Sequence, residues 1–174
     1  MKIRRATPAD AAGLALVHLN TWLSTYRGLV PDTYLDSLSF EAYLARWQKR
    51  LELDDTLVFV AEVDQEVVGF ASGGPERTGD FPTLTSEVYA LYVLAAHQGG
   101  GIGRALVQTL AREFAPAHSG LLIWVLKGNP AQKFYQAIGG VYVAEKALEI
   151  GSAQLTEVAY GWPDLARLNE EESR

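Results

Sequence analysis

The run Gln98-Gly99-Gly100-Gly101-Ile102-Gly103-Arg104 has the residue types and spacing to do chemistry. Its glycines interrupt an apolar stretch, Val88 to Leu94, that reads as a strand buried on both faces. Ile102, Leu106, Leu110 and Phe114 then recur every fourth position, which is one face of a helix. A glycine turn that feeds a helix start concentrates unpaired backbone N–H groups and the positive end of the helix dipole. The unit therefore suits a phosphate or pyrophosphate. A P-loop needs Lys-Ser/Thr after its last glycine, and Arg104-Ala105 stands there. A dinucleotide fingerprint needs a third small residue three positions beyond its second glycine, and Leu106 occupies that place. What fits is the pattern Q/R-x-x-G-x-G/A. A left-handed glycine turn without a ligand is the other reading of the same residues.

The elements that must position this loop follow from periodicity and punctuation. Lys2 to Arg5 is a short strand. Thr7-Pro8-Ala9-Asp10 opens a helix, with Thr7 as N-cap, Pro8 at the first position and Asp10 against the dipole. His18 lies on that helix as a packed or solvated residue without catalytic partners. Trp22 and Tyr26, four apart, share a helix face that ends at Gly28 and Pro31. They are either an aromatic staple or, with Arg27 and Tyr34, the wall of an acceptor pocket. Pro31 to Leu53 forms a second helical region with a broad apolar face. Thr56 to Val63 and Val67 to Ser72 are strands joined by the polar turn Asp64-Gln65-Glu66. Gly73 to Pro82 is an exposed loop. Leu121 to Leu126 is a buried strand. Asn129 caps a helix whose first residue is Pro130 and which stops at Gly139-Gly140. Val141 to Ala144 and Leu155 to Tyr160 are the last strands, and the polar end from Asn169 frays.

The 174 residues are expected to form one domain over 1–162, followed by a C-terminal segment, 163–174. No apolar run approaches the roughly 18–20 residues of a membrane span, and MKIRRATPAD lacks the apolar core of a secretory signal. The chain has no cysteine, which removes disulfide and thiolate chemistry and suits a cytoplasmic protein. Its net charge of −6 offers no basic footprint for nucleic acid and favours a cationic acceptor such as an amine.

The glycine loop resembles the acyl-CoA pyrophosphate loop of the GNAT superfamily of N-acetyltransferases. The order strand, two helices, three strands, helix, strand, helix, two strands is similar to that family's over about residues 2–162. The implied fold is a mixed, mostly antiparallel sheet of about seven strands with helices on both faces. Leu91-Tyr92-Val93 resembles the family's fourth strand, which splays from its neighbour so that its backbone pairs with the pantetheine arm. Asn129, Phe134-Tyr135 and Gly139-Gly140 resemble the element after the fifth strand. The spacing from Asn129 to Tyr135 is six where the family often has seven, and Gly140 stands where Phe is common.

The resemblance implies acetyl-CoA as cosubstrate and direct attack by a primary amine in a ternary complex, with no metal. Leu91, Tyr92, Val93, Gln98, Gly99, Gly100, Gly101, Ile102, Gly103, Arg104, Asn129 and Tyr135 would hold the cosubstrate. The backbone N–H near Val93 would face the developing oxyanion. Glu87, eleven residues before Gln98, matches the general-base position, and a half-buried glutamate beside Val88 and Tyr89 gains basicity by desolvation. A solvated carboxylate at a strand start is the alternative, with Glu76, Asp80 or a water as base. Tyr135 matches the tyrosine that protonates the CoA sulfur, or else is a core aromatic beside Phe134. The expected partner is a small-molecule amine, with no nucleic acid and no membrane, and a homodimer is left open. Two other functions compete: acetylation of protein N-termini or lysines, and a non-catalytic acyl-CoA-binding domain.

Overall fold

The computed structural model describes residues 1–53 and 56–169. Seven strands form one sheet: β1 (Lys2–Arg5), β2 (Leu57–Val63), β3 (Glu66–Pro75), β4 (Ser86–Val93), β5 (Leu121–Leu126), β6 (Val141–Ile150) and β7 (Ala153–Trp162). The spatial order is β1-β2-β3-β4-β5-β7-β6. Every neighbouring pair is antiparallel except β4 and β5, which run parallel because α4 carries the chain between them. The helices are α1 (Ala11–Thr25), α2 (Asp32–Leu35), α3 (Phe40–Leu51), α4 (Ile102–Phe114), α5 (Ala131–Ala137) and α6 (Leu165–Asn169). The mixed, mostly antiparallel seven-stranded sheet flanked by helices is the architecture that the sequence implies. Among the described residues no helix is long and apolar enough to cross a membrane.

Alternation along the strands assigns the two faces of the sheet. Val88, Leu121, Ile123 and Val125 turn to α4, where Ile102, Leu106, Leu110 and Phe114 form the apolar stripe read from the sequence. Val58, Val60 and Phe70 turn to α1 and α3, against Leu14, Val17, Tyr43 and Trp47. The two-residue turn at Asp64-Gln65 has positive φ at both positions, 49° and 69°. That geometry matches the twist of the β2–β3 hairpin it closes.

Several boundaries differ from the sequence reading. The helical region after Pro31 is two helices, because the Ser39 side chain accepts from the Ala42 N–H at 3.2 Å and starts α3 afresh. β3 runs on to Pro75, and β6 extends to Ile150, since its ladder with β7 continues past the apolar residues. Asn129 caps α5 from one position further out than expected: its Oδ1 accepts from the Ala131 N–H at 2.9 Å. α6, which no sequence signal marks, buries Leu165 and Leu168 in the α4-side core. The fraying expected of the polar end falls, beyond Asn169, outside the described residues.

A buried ion pair fixes the start of the chain. Asp10, 7% exposed, accepts from Arg4 Nη1 and Nη2, each at 2.8 Å, and from the Thr7 N–H and Oγ1 at 2.7 and 2.9 Å. Arg4 Nε donates to Glu62 at 2.9 Å, so β1, β2 and the entry to α1 are tied together. The Arg4 hydrogen bonds hold the Asp10 carboxyl at about 2, below the usual carboxylate range. A carboxyl depressed on folding stabilises the native state above its unfolded pKa, and that stability is lost as pH falls from about 4 towards 2. Asp10→Asn should therefore cost about 2 kcal/mol in urea unfolding near neutral pH, with the gap to wild type closing across that acidic window. A gap that stays constant through the window would show that the charge is not what holds this corner.

Candidate active site

β4 and β5 pair only through Ser86–Leu121, Glu87–Leu122 and Val88–Ile123. Beyond these the strands part, although β4 continues to Val93 and β5 to Leu126. On its other side β4 stays bonded to β3, with a bulge that leaves Tyr89 without a counterpart opposite Ser72/Gly73. A bulge bends its strand and sharpens the local twist, which drives β4 away from β5. The Leu94 N–H bonds the Val68 carbonyl at 2.9 Å. Antiparallel alternation then directs the backbone groups of Ala90 and Tyr92 to β3, and those of Leu91 and Val93 into the opening. A buried strand edge needs partners for such groups. The Gln98 side chain meets one of them, its Nε2 donating to the Val93 carbonyl at 2.9 Å.

The glycine loop stands at the mouth of this opening. Gly101 precedes α4 with φ +82°, and Gly99 has φ +79°, a conformation that glycine adopts without steric cost. A Cβ at Gly99, Gly100 or Gly101 would meet nothing within 4 Å, so the loop is uncrowded. The N–H groups of Ile102, Gly103 and Arg104 belong to the first turn of α4 and point outward along its axis. Gly103 has a different constraint: a Cβ there would lie 3.2 Å from the Phe134 ring, so its smallness seats α4 against α5. Unpaired strand groups beside an open N–H cradle fit a long ligand with a peptide-like arm and a pyrophosphate, as CoA is.

Aromatic side chains fill the base of the opening from both faces. Tyr135, 4% exposed, lies on the α4 side, with ring centroids 6.1 Å from Tyr160 and 6.3 Å from Trp162. Burial pushes its hydroxyl well above the usual tyrosine value, so it carries its proton at neutral pH. From the other face come Trp22, Tyr26 and Tyr34, which the structure brings together: Trp22 stands 4.5 Å from Tyr26 and 6.0 Å from Tyr34 between centroids. Burial pushes the Tyr26 hydroxyl up to about 12, and the neighbouring Tyr92 hydroxyl and Asn129 side chain act against that rise. Trp22 Nε1 donates to the Tyr92 hydroxyl at 3.0 Å. Two expected residues face elsewhere. The Tyr92 backbone belongs to the β3 ladder, and its ring stacks on His18 at 4.8 Å beneath α1. Arg27 is exposed and pairs with Asp32 at 3.1 Å and Asp36 at 3.4 Å, bracing its own loop.

Glu87 sits where β4 and β5 still pair, on the same face as Leu122 and Trp124. The half-buried carboxylate expected from the sequence is instead 1% exposed and fully engaged. Arg77, from the β3–β4 loop, donates Nε and its backbone N–H to Oε2 at 3.1 and 3.3 Å, while Nη2 pairs with Oε1. The guanidinium lies 4.4 Å over the Tyr89 ring. Desolvation of Glu87 is thus offset by a paired charge. Beside this pair, Lys146 lies 3.9 Å over Trp124 and pairs with Glu157 at 3.3 Å. Sequence reasoning missed Arg77, Lys146, Trp124 and Glu157. Arg77 occurs in a segment of loop composition and Lys146 lies on β6 beyond Ala144, where the sequence reading ends that strand, so the folded β3–β4 connection and the β6–β7 register reveal them. Glu76, an alternative base, is committed to its own turn through the Thr78 N–H and Oγ1 and the Gly79 N–H.

Comparison with known proteins agrees with this geometry. The chain is 39% identical over 169 residues to the uncharacterized N-acetyltransferase YuaI of Bacillus subtilis, covering 95% of each chain. It is 34% identical over 113 residues to the L-methionine sulfoximine/L-methionine sulfone acetyltransferase of Salmonella typhimurium, covering 65% of this chain and 63% of the other. Among solved structures, the ribosomal-protein-alanine N-acetyltransferase of Brucella melitensis superposes with a TM-score of 0.71 at 26% identity, covering 93% of this chain and 99% of that one. The putative acetyltransferase yncA of Salmonella typhimurium, solved with its cofactor acetyl-CoA, gives 0.69 at 25% identity, covering 100% and 97%. Residues 19–140 match the acetyltransferase (GNAT) family as a whole, and with the sheet, the strand opening and the glycine loop in place, the chain belongs to that family.

Proposed function

We propose that this protein is an acetyl-CoA-dependent N-acetyltransferase that acetylates a primary amine of a small molecule by direct attack in a ternary complex. The observation that carries this reading is the divergence of β4 from β5, with Glu87 at its closed end on one face and Tyr135 on the other. Acetyl-CoA, when bound, supplies the acetyl thioester. The backbone groups of Leu91 and Val93 receive its arm, and the N–H groups from Gly99 to Arg104 hold its pyrophosphate. The Val93 N–H donates to the thioester oxygen as charge develops there. Glu87 takes the proton of the attacking ammonium, and Tyr135 holds a proton for the departing sulfur. Trp22, Tyr26 and Tyr34 wall the acceptor side. A chain without cysteine suits a cytoplasmic setting.

The relatives point to different acceptors. One is named for amino-acid analogues and one for an alanine of a ribosomal protein. The second name keeps protein acetylation as an alternative. The close-packed Trp22–Tyr26–Tyr34 cluster favours the small molecule over an extended peptide. A panel of amines and alanine-terminated peptides assayed by CoA release separates the two.

Three variants test the assigned roles. Gly101→Glu forces a side chain onto positive φ and places a like charge in the phosphate cradle, so calorimetric binding of CoA should be lost. Undiminished binding to the folded variant would remove the loop from the site. Glu87→Gln keeps the shape while deleting the base, so turnover should fall by about 10²–10⁴-fold with acetyl-CoA affinity nearly intact. Wild-type turnover would pass the role to water. Tyr135→Phe should lower turnover on the order of 10²-fold where chemistry limits the rate. Equal rates there would make Tyr135 a packing residue only.

A further inference from the structure

The Glu87–Arg77 pair also bears on which amines the site takes, granted the proposed function above. A carboxylate buried as deeply as Glu87 needs a cation beside it for as long as it is charged, since leaving one charge of a buried pair unmatched is strongly destabilising. In the free protein Arg77 is that cation, through its Nε, Nη2 and backbone N–H. An acceptor amine arrives as its ammonium, and to reach Glu87 it must take over part of these contacts. Arg77, whose side chain is 60% exposed, has room to yield them.

Arg77 is then a largely exposed guanidinium at the edge of the site, able to take up an anion, and two of the carboxylates near it, Glu157 and Glu76, are already engaged. Glu157, whose charge Arg77 senses, is held by Lys146 at 3.3 Å, and Lys146 is itself fixed over Trp124. Glu76 accepts from Thr78 and Gly79 at 2.6–2.9 Å. An acceptor that carries its own anion can use that guanidinium. A molecule with an ammonium and a carboxylate on one carbon inserts into the ion pair by exchange: its ammonium faces Glu87 and its carboxylate faces the guanidinium, so no charge is left unmatched. Guanidinium and carboxylate suit each other's planar, two-pronged geometry. Tyr89, beneath the guanidinium, keeps Arg77 beside the site during the exchange. The aromatic cluster of Trp22, Tyr26 and Tyr34 offers an apolar wall for the rest of the molecule.

We propose that the acceptor is a free α-amino acid or a close analogue with an apolar side chain, and that Arg77 selects it by binding its carboxylate. The transfer itself is unchanged. The ammonium gives one proton to Glu87, the N–C bond forms as the C–S bond breaks, and the sulfur takes the Tyr135 proton; the nitrogen's second proton then leaves to water, which returns a proton to Tyr135, while Glu87 releases its own to solvent. The carboxylate is untouched. A protein N-terminus lacks that carboxylate, because it is tied up in the first peptide bond.

The test pairs amino acids with their decarboxylated amines, leucine with isopentylamine and phenylalanine with phenethylamine. Each is assayed by CoA release with the wild type, Arg77→Lys and Arg77→Ala. The readout is the ratio of kcat/KM for amino acid over amine, which cancels any general effect of Arg77 on Glu87. It should be at least about tenfold in the wild type and fall by at least about tenfold in Arg77→Ala, mostly through KM, with Arg77→Lys in between. A wild-type ratio near one, or the same ratio in Arg77→Ala, overturns the proposal. Turnover of amines alone defeats this assignment and leaves the proposed function standing. No turnover of either class, with calorimetry showing acetyl-CoA bound, defeats both.

Discussion

The site depends on β4 being unable to follow β5. Three residue pairs hold the two strands together, and then the bulge at Tyr89 turns β4 aside while β3 keeps it in the sheet. The result is a strand edge in the middle of a protein, with the Leu91 and Val93 backbone groups unmatched by β5. Such an edge is costly unless something pairs with it. Gln98 satisfies part of that need from the glycine loop itself. Under the proposed function an extended arm of acetyl-CoA along β4 would satisfy the rest, so that the open strand edge and the binding of the cosubstrate would be one feature.

The same divergence explains why the two side chains proposed to move protons come from opposite faces. Glu87 lies where the two strands still pair and turns to the face opposite α4, against the β3–β4 loop, whereas Tyr135 reaches the gap from the α4 side. Near Tyr135, Tyr26, Tyr92 and Asn129 form a polar seam, with Trp22 braced on Tyr92. Each hydroxyl in the seam stays protonated because burial disfavours phenolate. Glu87 is the exception, a carboxylate kept in the interior, and Arg77 makes it tolerable.

Much of this was legible in the sequence where residues act through local geometry. The apolar stripe from Ile102 to Phe114 and the glycines before it dictate strand, turn and helix without outside help. Trp22 and Tyr26 meet because they are one helical turn apart. Contacts set by sheet register were not legible. Arg77 and Glu87 are ten residues apart across a loop, and Lys146 reaches Trp124 only because β6 extends beyond its apolar residues. Hydropathy cannot see a strand that is largely exposed on a sheet edge, so β6 was cut short. The degree of burial of Glu87 was misjudged for a related reason: the guanidinium that makes it tolerable comes from a segment with loop composition.

The most direct measurement is native-state amide hydrogen exchange with and without acetyl-CoA. If the strand edge is the binding surface, the amides of Leu91 and Val93 and those from Gly99 to Arg104 should slow by at least about tenfold on binding, while those of Ala90 and Tyr92, already in the β3 ladder, change little. Saturating acetyl-CoA that leaves Leu91, Val93 and the glycine loop unprotected, or that protects another segment instead, would contradict the account.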